Sequence, residues 1–237
     1  MISVIRLFLL ISWTLFLMFI APFFILITLN RQFPLIVART LFPAVFTRLA
    51  GIKIKTFGKE NIPKNKPAIY IANHCSHIDI GCLCLSLPVN LHFIGKKELA
   101  WMPIVGWYMY VAGHIFIDRS NKKKAFESLK QAAIKIKNGK NVVMYPEGTR
   151  SKTGELGDFK KGAFYLAIMA NVCIVPVHIE GTFKVWPSGS SKITPGDVTV
   201  RIGKPIDSSK YTSQTIKEFA EEARKAILNL KETVSDK

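Results

Sequence analysis

Acidic residues are scarce in this chain, and three familiar loop signatures are missing. With 16 Asp and Glu against 33 Lys and Arg, the 237 residues carry a formal charge of +17. Such an excess implies a negatively charged partner: nucleic acid, anionic lipid or a phosphorylated substrate. No G-x4-G-K-[ST], G-x-G-x-x-G or G-x-S-x-G occurs, so nucleotide hydrolysis, dinucleotide binding and an acyl-serine mechanism lack their usual marks. Cysteine is sparse as well. Cys75, Cys82, Cys84 and Cys173 have neither the C-x-x-C spacing of a metal site nor the density of a disulfide scaffold, and they read as reduced thiols in a cytosol-facing protein. There is no internal repeat and no low-complexity segment.

Residues 7–29 lack charge altogether. At about 1.5 Å per residue, a helix of that length reaches across about 30 Å of hydrocarbon. The run exceeds the apolar core of a signal peptide, and no small-x-small cleavage site follows it. Instead come a polar turn with a helix breaker, residues 30–34, and a second apolar stretch, 35–49, that carries Arg39 and Arg48. This pattern predicts a helical hairpin over residues 1–50, embedded in one leaflet rather than spanning, with the arginines reaching lipid phosphates. An ordinary packing helix is the alternative for its second half. Phe8, Phe16, Phe19, Phe23, Phe24, Phe33, Phe42 and Phe46 all fall in this part. A nucleic-acid binder would interleave aromatics with Lys and Arg on a stacking surface, so nucleic acid is set aside and membrane or phosphorylated substrate is favoured.

Gly51 separates the hairpin from residues 51–237, where the periodicity changes. Residues 52–57 alternate with period two, as a half-exposed strand does. Further short strands are predicted at 68–72, 91–94, 115–117, 142–145, 173–179 and 198–202. Helix-period segments lie at 122–137, stopped by Asn138-Gly139, and at 161–170, and a C-terminal helix carries the stripe Ile216, Phe219, Ala223, Ala226, Ile227 and Leu230. Strands alternating with helices predict an α/β domain with helices layered on a sheet.

Chemistry concentrates where strands end. Asn73-His74-Cys75-Ser76-His77-Ile78-Asp79 follows one apolar run and precedes another, which reads as buried strand, exposed loop and helix start. Five helical steps of about 100° would put His74 and Asp79 on different faces, so they meet only if His74 lies in the loop and Asp79 in the first helical turn, where a carboxylate suits the helix dipole. A carboxylate on one imidazole nitrogen fixes the tautomer and strengthens the other nitrogen as a base, a dyad for activating a hydroxyl. Asp118 and Arg119 end a second strand, and an Arg there forms a fork with phosphate; a surface pair between the two is the plainer alternative. Tyr145-Pro146-Glu147-Gly148-Thr149-Arg150 ends a third, with a Gly that lets backbone amides approach a ligand, and Lys152, Lys160 and Lys161 follow. Val175-Pro176-Val177 is an apolar strand interrupted by proline, which suits a sheet edge or a strand end.

In this order and spacing, the four stretches resemble the motifs of the glycerolipid acyltransferases, and look most like bacterial 1-acyl-glycerol-3-phosphate acyltransferases of the PlsC type. The resemblance covers residues 51–206, and the hydrophobic hairpin resembles that subfamily's membrane element. One departure is Tyr145, where the family commonly has Phe. The resemblance implies a mixed β-sheet flanked by helices, like that of glycerol-3-phosphate acyltransferases. It also implies a reaction. His74 acts as general base, oriented by Asp79, on the free sn-2 hydroxyl of a lysophosphatidate, which attacks the thioester of acyl-CoA or acyl carrier protein to give phosphatidic acid, without an acyl-enzyme, metal or bound cofactor. Arg119, Glu147, Gly148, Thr149, Arg150 and Pro176 fall where the family binds its acceptor. Membrane lipids are then partners, and the expected location is the cell inner or cytoplasmic membrane with the catalytic part facing the cytoplasm.

Other readings stay open on the sequence. Another lysolipid or glycerol-3-phosphate is an alternative acceptor. Cys75, beside His74, is a conceivable nucleophile. His74, His77 and Asp79 form an H-x2-H-x-D set for a metal hydrolase. A basic membrane-surface protein without catalysis explains hairpin and charge, but not the His, Asp, Glu and Arg at strand ends.

Overall fold

In a computed structural model of the chain, the described residues are 2–30 and 32–232. Arg31, part of the predicted polar turn, and residues 233–237, the end of the predicted globular part, lie outside them. The hairpin is present as α1 (Ile2–Thr28) and α2 (Phe33–Ala50). Along α1, Leu10, Leu17 and Ala21 are buried while Phe8, Phe16, Phe19 and Phe23 are open to the surroundings, so one stripe packs on the protein and the rest is uncovered. Arg39 departs from expectation: its Nη1 donates to the Pro88 carbonyl at 2.9 Å, tying α2 to the globular part rather than reaching for lipid phosphate. Arg48 is exposed. The helix stops at Gly51, whose φ of 69° is left-handed and whose N–H caps the Arg48 carbonyl.

Seven strands form one mixed sheet: β1 (Ile52–Phe57), β2 (Ile69–Ala72), β3 (Leu91–Lys96), β4 (Ile115–Ile117), β5 (Asn141–Met144), β6 (Ile174–Glu180) and β7 (Gly196–Ile202), in the order β1-β7-β6-β2-β5-β3-β4. All neighbours are parallel except β6 and β7. Parallel strands need crossovers, which are supplied by α3 (Asp79–Ser86), α4 (Val105–Val111), α5 (Lys122–Lys137) and α6 (Gly162–Ala170); α7 (Thr182–Val185) and α8 (Ile216–Glu232) follow β6 and β7. The central strand β2 is buried throughout, which is why it reads as a continuous apolar run rather than an alternating one. Its Tyr70 and Ala72 pack with Cys82 and Leu83 of α3 on one face. Ile69 and Ile71 pack with Phe164, Leu166, Phe219 and Ile227 of α6 and α8 on the other.

Pro176 does not occupy an edge. It sits in β6 between β2 and β7, in register with Ile71. The antiparallel ladder to β7 begins at Val177, and Pro176 offers only its carbonyl, to the Gly203 N–H at 2.8 Å. The missing N–H therefore falls where the ladder has already ended. Side chains alternate along a strand, so Pro176 shares the face of Ile174 and His178, where α8 packs.

Three histidines lie within this core. His92 is 2% exposed, His114 6% and His178 8%. Burial pushes their pKa values down to about 4, about 3 and about 4, aided for His114 by neighbouring His92 and Lys140. A base that stays neutral in the fold but takes a proton near 6.5 when unfolded gives stability that is present above that value and is lost as pH falls. Each such histidine removes about 1.4 kcal/mol per pH unit between about 6.5 and its folded pKa. His114 Nδ1 accepts the Phe93 N–H at 3.0 Å, an acceptor that Asn reproduces without titrating. We expect His114→Asn to flatten the fall of the thermal midpoint between about pH 6.5 and 4; the same slope as the natural chain would exclude His114 as a contributor.

Candidate active site

In open α/β sheets, ligand-binding loops leave the carboxyl ends of the parallel strands. At the end of β2 the chain turns through residues 73–78 and enters α3 at Asp79. His74 in the loop and Asp79 in the first helical turn meet: His74 Nδ1 stands 2.8 Å from Asp79 Oδ2. The same oxygen accepts the N–H groups of Cys75 at 2.8 Å and Ser76 at 2.9 Å, so one carboxylate fixes both the loop and the ring. A carboxylate only accepts, which leaves Nδ1 protonated and the lone pair on Nε2. No partner holds Nε2 among the described residues, and the side chain is 17% exposed while Asp79 is fully buried. Tyr145 lies flat on the imidazole, ring centroids 3.8 Å apart and planes within 14°.

Glu147 is held by backbone on both carboxyl oxygens. Its Oε1 accepts the His74 backbone N–H at 2.8 Å and its Oε2 the Gly157 N–H at 2.9 Å. Burial pushes its carboxyl up, against the opposing pull of these two amides. With both oxygens occupied by backbone, Glu147 is a positioning residue that fixes the loop under the imidazole. The Ser151 N–H holds the His74 carbonyl at 2.7 Å. Asn73, the first residue of the motif, anchors the loop: its Oδ1 accepts the Ile179 N–H at 2.7 Å and its Nδ2 donates to the Ile179 carbonyl at 2.8 Å. The loop is thus pinned to the turn after β5 and to β6, on either side of β2. A short polar residue directly after a buried strand was the available signal.

Arg150 comes to the same place, its Nη1 touching the His77 ring. Burial, the Arg150 charge and then His74 lower the His77 pKa, so a neutral imidazole supports the guanidinium. His77 also lies against Trp186, at 4.9 Å between centroids. It is directed to Arg150, and no three His, Cys, Asp or Glu side chains gather in a metal-holding group among the described residues. Gly148 is left-handed at φ 76°, and a Cβ there would come within 2.7 Å of Lys160 Nζ, so this lysine lies across the Gly148 backbone as a second cation of the loop. Thr149 is exposed beside it. The Cys75 thiol is pushed up to about 11 by burial and by Asp79, which keeps it protonated and unfit as a nucleophile.

Two expected members stand apart. Arg119 follows β4, three strands from β2, hence about 14 Å across the sheet at the usual strand spacing. It lies at the same carboxyl end of the sheet and is exposed. It is not paired with Asp118, which instead takes Lys97 at 3.2 Å and the Ser120 N–H at 3.0 Å. Pro176 is buried within the sheet.

A family model described as Acyltransferase matches residues 53–180. The chain is 43% identical over 160 residues to the chloroplastic 1-acyl-sn-glycerol-3-phosphate acyltransferase of Arabidopsis thaliana, covering 67% of this chain and 45% of that one. It is 38% identical over 188 residues to the 1-acyl-sn-glycerol-3-phosphate acyltransferase of Saccharomyces cerevisiae, covering 78% and 62%. Against the Haemophilus influenzae protein of the same name the identity is 34% over 178 residues, covering 73% and 71%. The chain therefore spans about half to three fifths of the length of the first two relatives. The crystal structure of the 1-acyl-sn-glycerophosphate acyltransferase PlsC from Thermotoga maritima superimposes with a TM-score of 0.81 at 27% identity, over 99% of this chain and 96% of that one.

Proposed function

The chain belongs to the acyltransferase family, and on that premise we propose that it moves a fatty acyl group from a thioester, acyl-CoA or acyl carrier protein, to the free sn-2 hydroxyl of 1-acyl-glycerol-3-phosphate. The product is phosphatidic acid, a step of phospholipid biosynthesis. The observation that carries this reading is the His74–Asp79 pair at 2.8 Å, with Nε2 unpartnered among the described residues. Nε2 takes the hydroxyl proton as the acceptor oxygen attacks the thioester carbonyl. The tetrahedral intermediate collapses, the carbon–sulfur bond breaks, and the departing thiolate recovers the proton from the imidazolium. Asp79 stabilises the imidazolium between the two transfers. The thioester is already activated, so this route asks for no metal and no bound cofactor.

Arg150, Lys160 and the backbone at Gly148 supply the phosphate grip in this reading, with Thr149 and the distant Arg119 available to an acceptor that extends along this end of the sheet. Losing a charged fork to phosphate weakens binding by about 1.5–3 kcal/mol, or about 10–100-fold. We expect Arg150→Ala to raise the acceptor KM by that order and the donor KM far less; an equal rise in both would assign Arg150 another task.

The uncovered phenylalanines of α1 suit a helix seated in lipid, in one leaflet of the cytoplasmic membrane with the globular part on the cytoplasmic side. There each lysine near an anionic surface adds about 1 kcal/mol of attraction. Substrate and product are both lipids of such a leaflet. The test is purified protein in detergent offered a matrix of donors (acyl-CoA, acyl carrier protein) and acceptors (lysophosphatidate, other lysolipids, glycerol-3-phosphate), with products read by mass spectrometry. Phosphatidic acid from lysophosphatidate supports the reading; lipid binding without any acylated product refutes it in favour of a non-catalytic surface protein.

A further inference from the structure

The hairpin is not the only apolar surface left uncovered. Trp101 is 84% exposed, Tyr110 78%, Trp107 56% and Met102 46%. None of these has a part in the reaction proposed above. Large aromatics gathered on a surface mark an interface rather than incidental exposure.

The backbone is built to present them. A 3-10 turn, Lys97–Trp101, meets α4 through Pro103 and Ile104. There the Val105 N–H closes on the Pro103 carbonyl at 2.7 Å, and Ile104 takes φ 65°, ψ −60°. This is a γ-turn centred on a β-branched residue, a conformation that costs about 1–3 kcal/mol. Gly106 then packs so closely that a Cβ would come within 2.4 Å of the Ala100 carbonyl oxygen. The corner is thereby locked, with Trp101 and Met102 turned outward and Trp107 and Tyr110, three apart, on one face of α4.

Two features say what covers this surface. Helix α1, with its uncovered phenylalanines, packs directly on α4, so the patch continues the surface of the hairpin. Lys96 and Lys97 precede it, and the Lys97 side chain is 60% exposed. Tryptophan and tyrosine with adjoining lysine suit the boundary between hydrocarbon and anionic headgroups, where amphipathic rings settle.

We infer that the stretch from Trp101 to Tyr110 is a second membrane contact, outside the hairpin but continuous with its surface, that seats at headgroup level in an anionic phospholipid leaflet. The inference rests on the lipid-seated hairpin proposed above. Because the stretch begins where β3 ends, at the carboxyl end of the sheet, contact at both places fixes the tilt of the domain and holds that end toward the leaflet.

The test uses full-length chains with a single tryptophan, at position 101, at position 107, or as Phe23→Trp in a tryptophan-free background, the last reporting the hairpin. Each is reconstituted in phosphatidylglycerol–phosphatidylcholine vesicles with and without bromine on the acyl chains. Loss of emission at 101 and 107 in the brominated vesicles is the expected result. Loss only at Phe23→Trp overturns the inference and leaves the hairpin reading intact; no loss anywhere overturns both. A blue shift at 101 that follows protein concentration in detergent alone would assign the patch to a second copy of the chain instead. In the otherwise natural chain, Trp101→Ser with Trp107→Ser should lower kcat/KM about tenfold on vesicle-borne lysophosphatidate, from lost apolar burial. It should leave kcat/KM unchanged on a short-chain acceptor dissolved as monomer; an equal loss on both contradicts the inference.

Discussion

Replacing His74 with alanine should lower kcat by about 10²–10⁴-fold, the range a positioned general base supplies. The fold should survive, because the loop is held through backbone: the His74 N–H by Glu147 and its carbonyl by Ser151. Acceptor and donor KM should change little, since the imidazole acts on the hydroxyl proton only as the new bond forms. Initial rates of phosphatidic acid formation, together with circular dichroism of the variant, check both parts. A folded His74→Ala chain with full turnover would leave the dyad without a function.

Asp79→Asn separates charge from geometry. Asp79 Oδ2 accepts three N–H groups, from the His74 ring, Cys75 and Ser76, and an amide oxygen in its place accepts the same three. The amide nitrogen then falls where Oδ1 is buried without a protein partner. The loop and the tautomer are retained. What disappears is the negative charge opposite the ring at the moment it becomes an imidazolium. We expect kcat to fall by about 10²-fold or more with acceptor KM nearly unchanged, measured on protein whose thermal midpoint stays near that of the natural chain. An unchanged rate would mean that Asp79 serves only to hold the loop.

Much of this was legible along the chain because its determinants are local. An apolar run ending in Asn-His, a polar turn and an Asp at the start of the next apolar run read as strand, loop and helix start, an arrangement in which the two side chains can meet. The strands were readable from apolar runs and alternation in the same way. What the local pattern leaves open has non-local causes. Whether Glu147 faces a ligand or the backbone depends on a loop that returns ten residues later with the Gly157 N–H. Whether Pro176 lies at an edge depends on which strands flank β6 and where β7 stops, neither of which is encoded in Val175-Pro176-Val177. Arg39 finds a carbonyl 49 positions away. Helix α4 is not legible because Val105-Gly106-Trp107-Tyr108-Met109-Tyr110-Val111 is apolar on all sides and has no period to detect.

The central claim is direct transfer: a base on the acceptor hydroxyl and no covalent intermediate on the protein. Mixing purified protein with acyl thioester labelled in the acyl chain, first without acceptor and then with lysophosphatidate, tests it most directly, with protein-bound label read after denaturation and free thiol read in parallel. The account predicts no label on the protein in either case, and thiol release only when acceptor is present, in step with phosphatidic acid. Label retained on the chain without acceptor, lost when lysophosphatidate is added and abolished by Cys75→Ala, would contradict it.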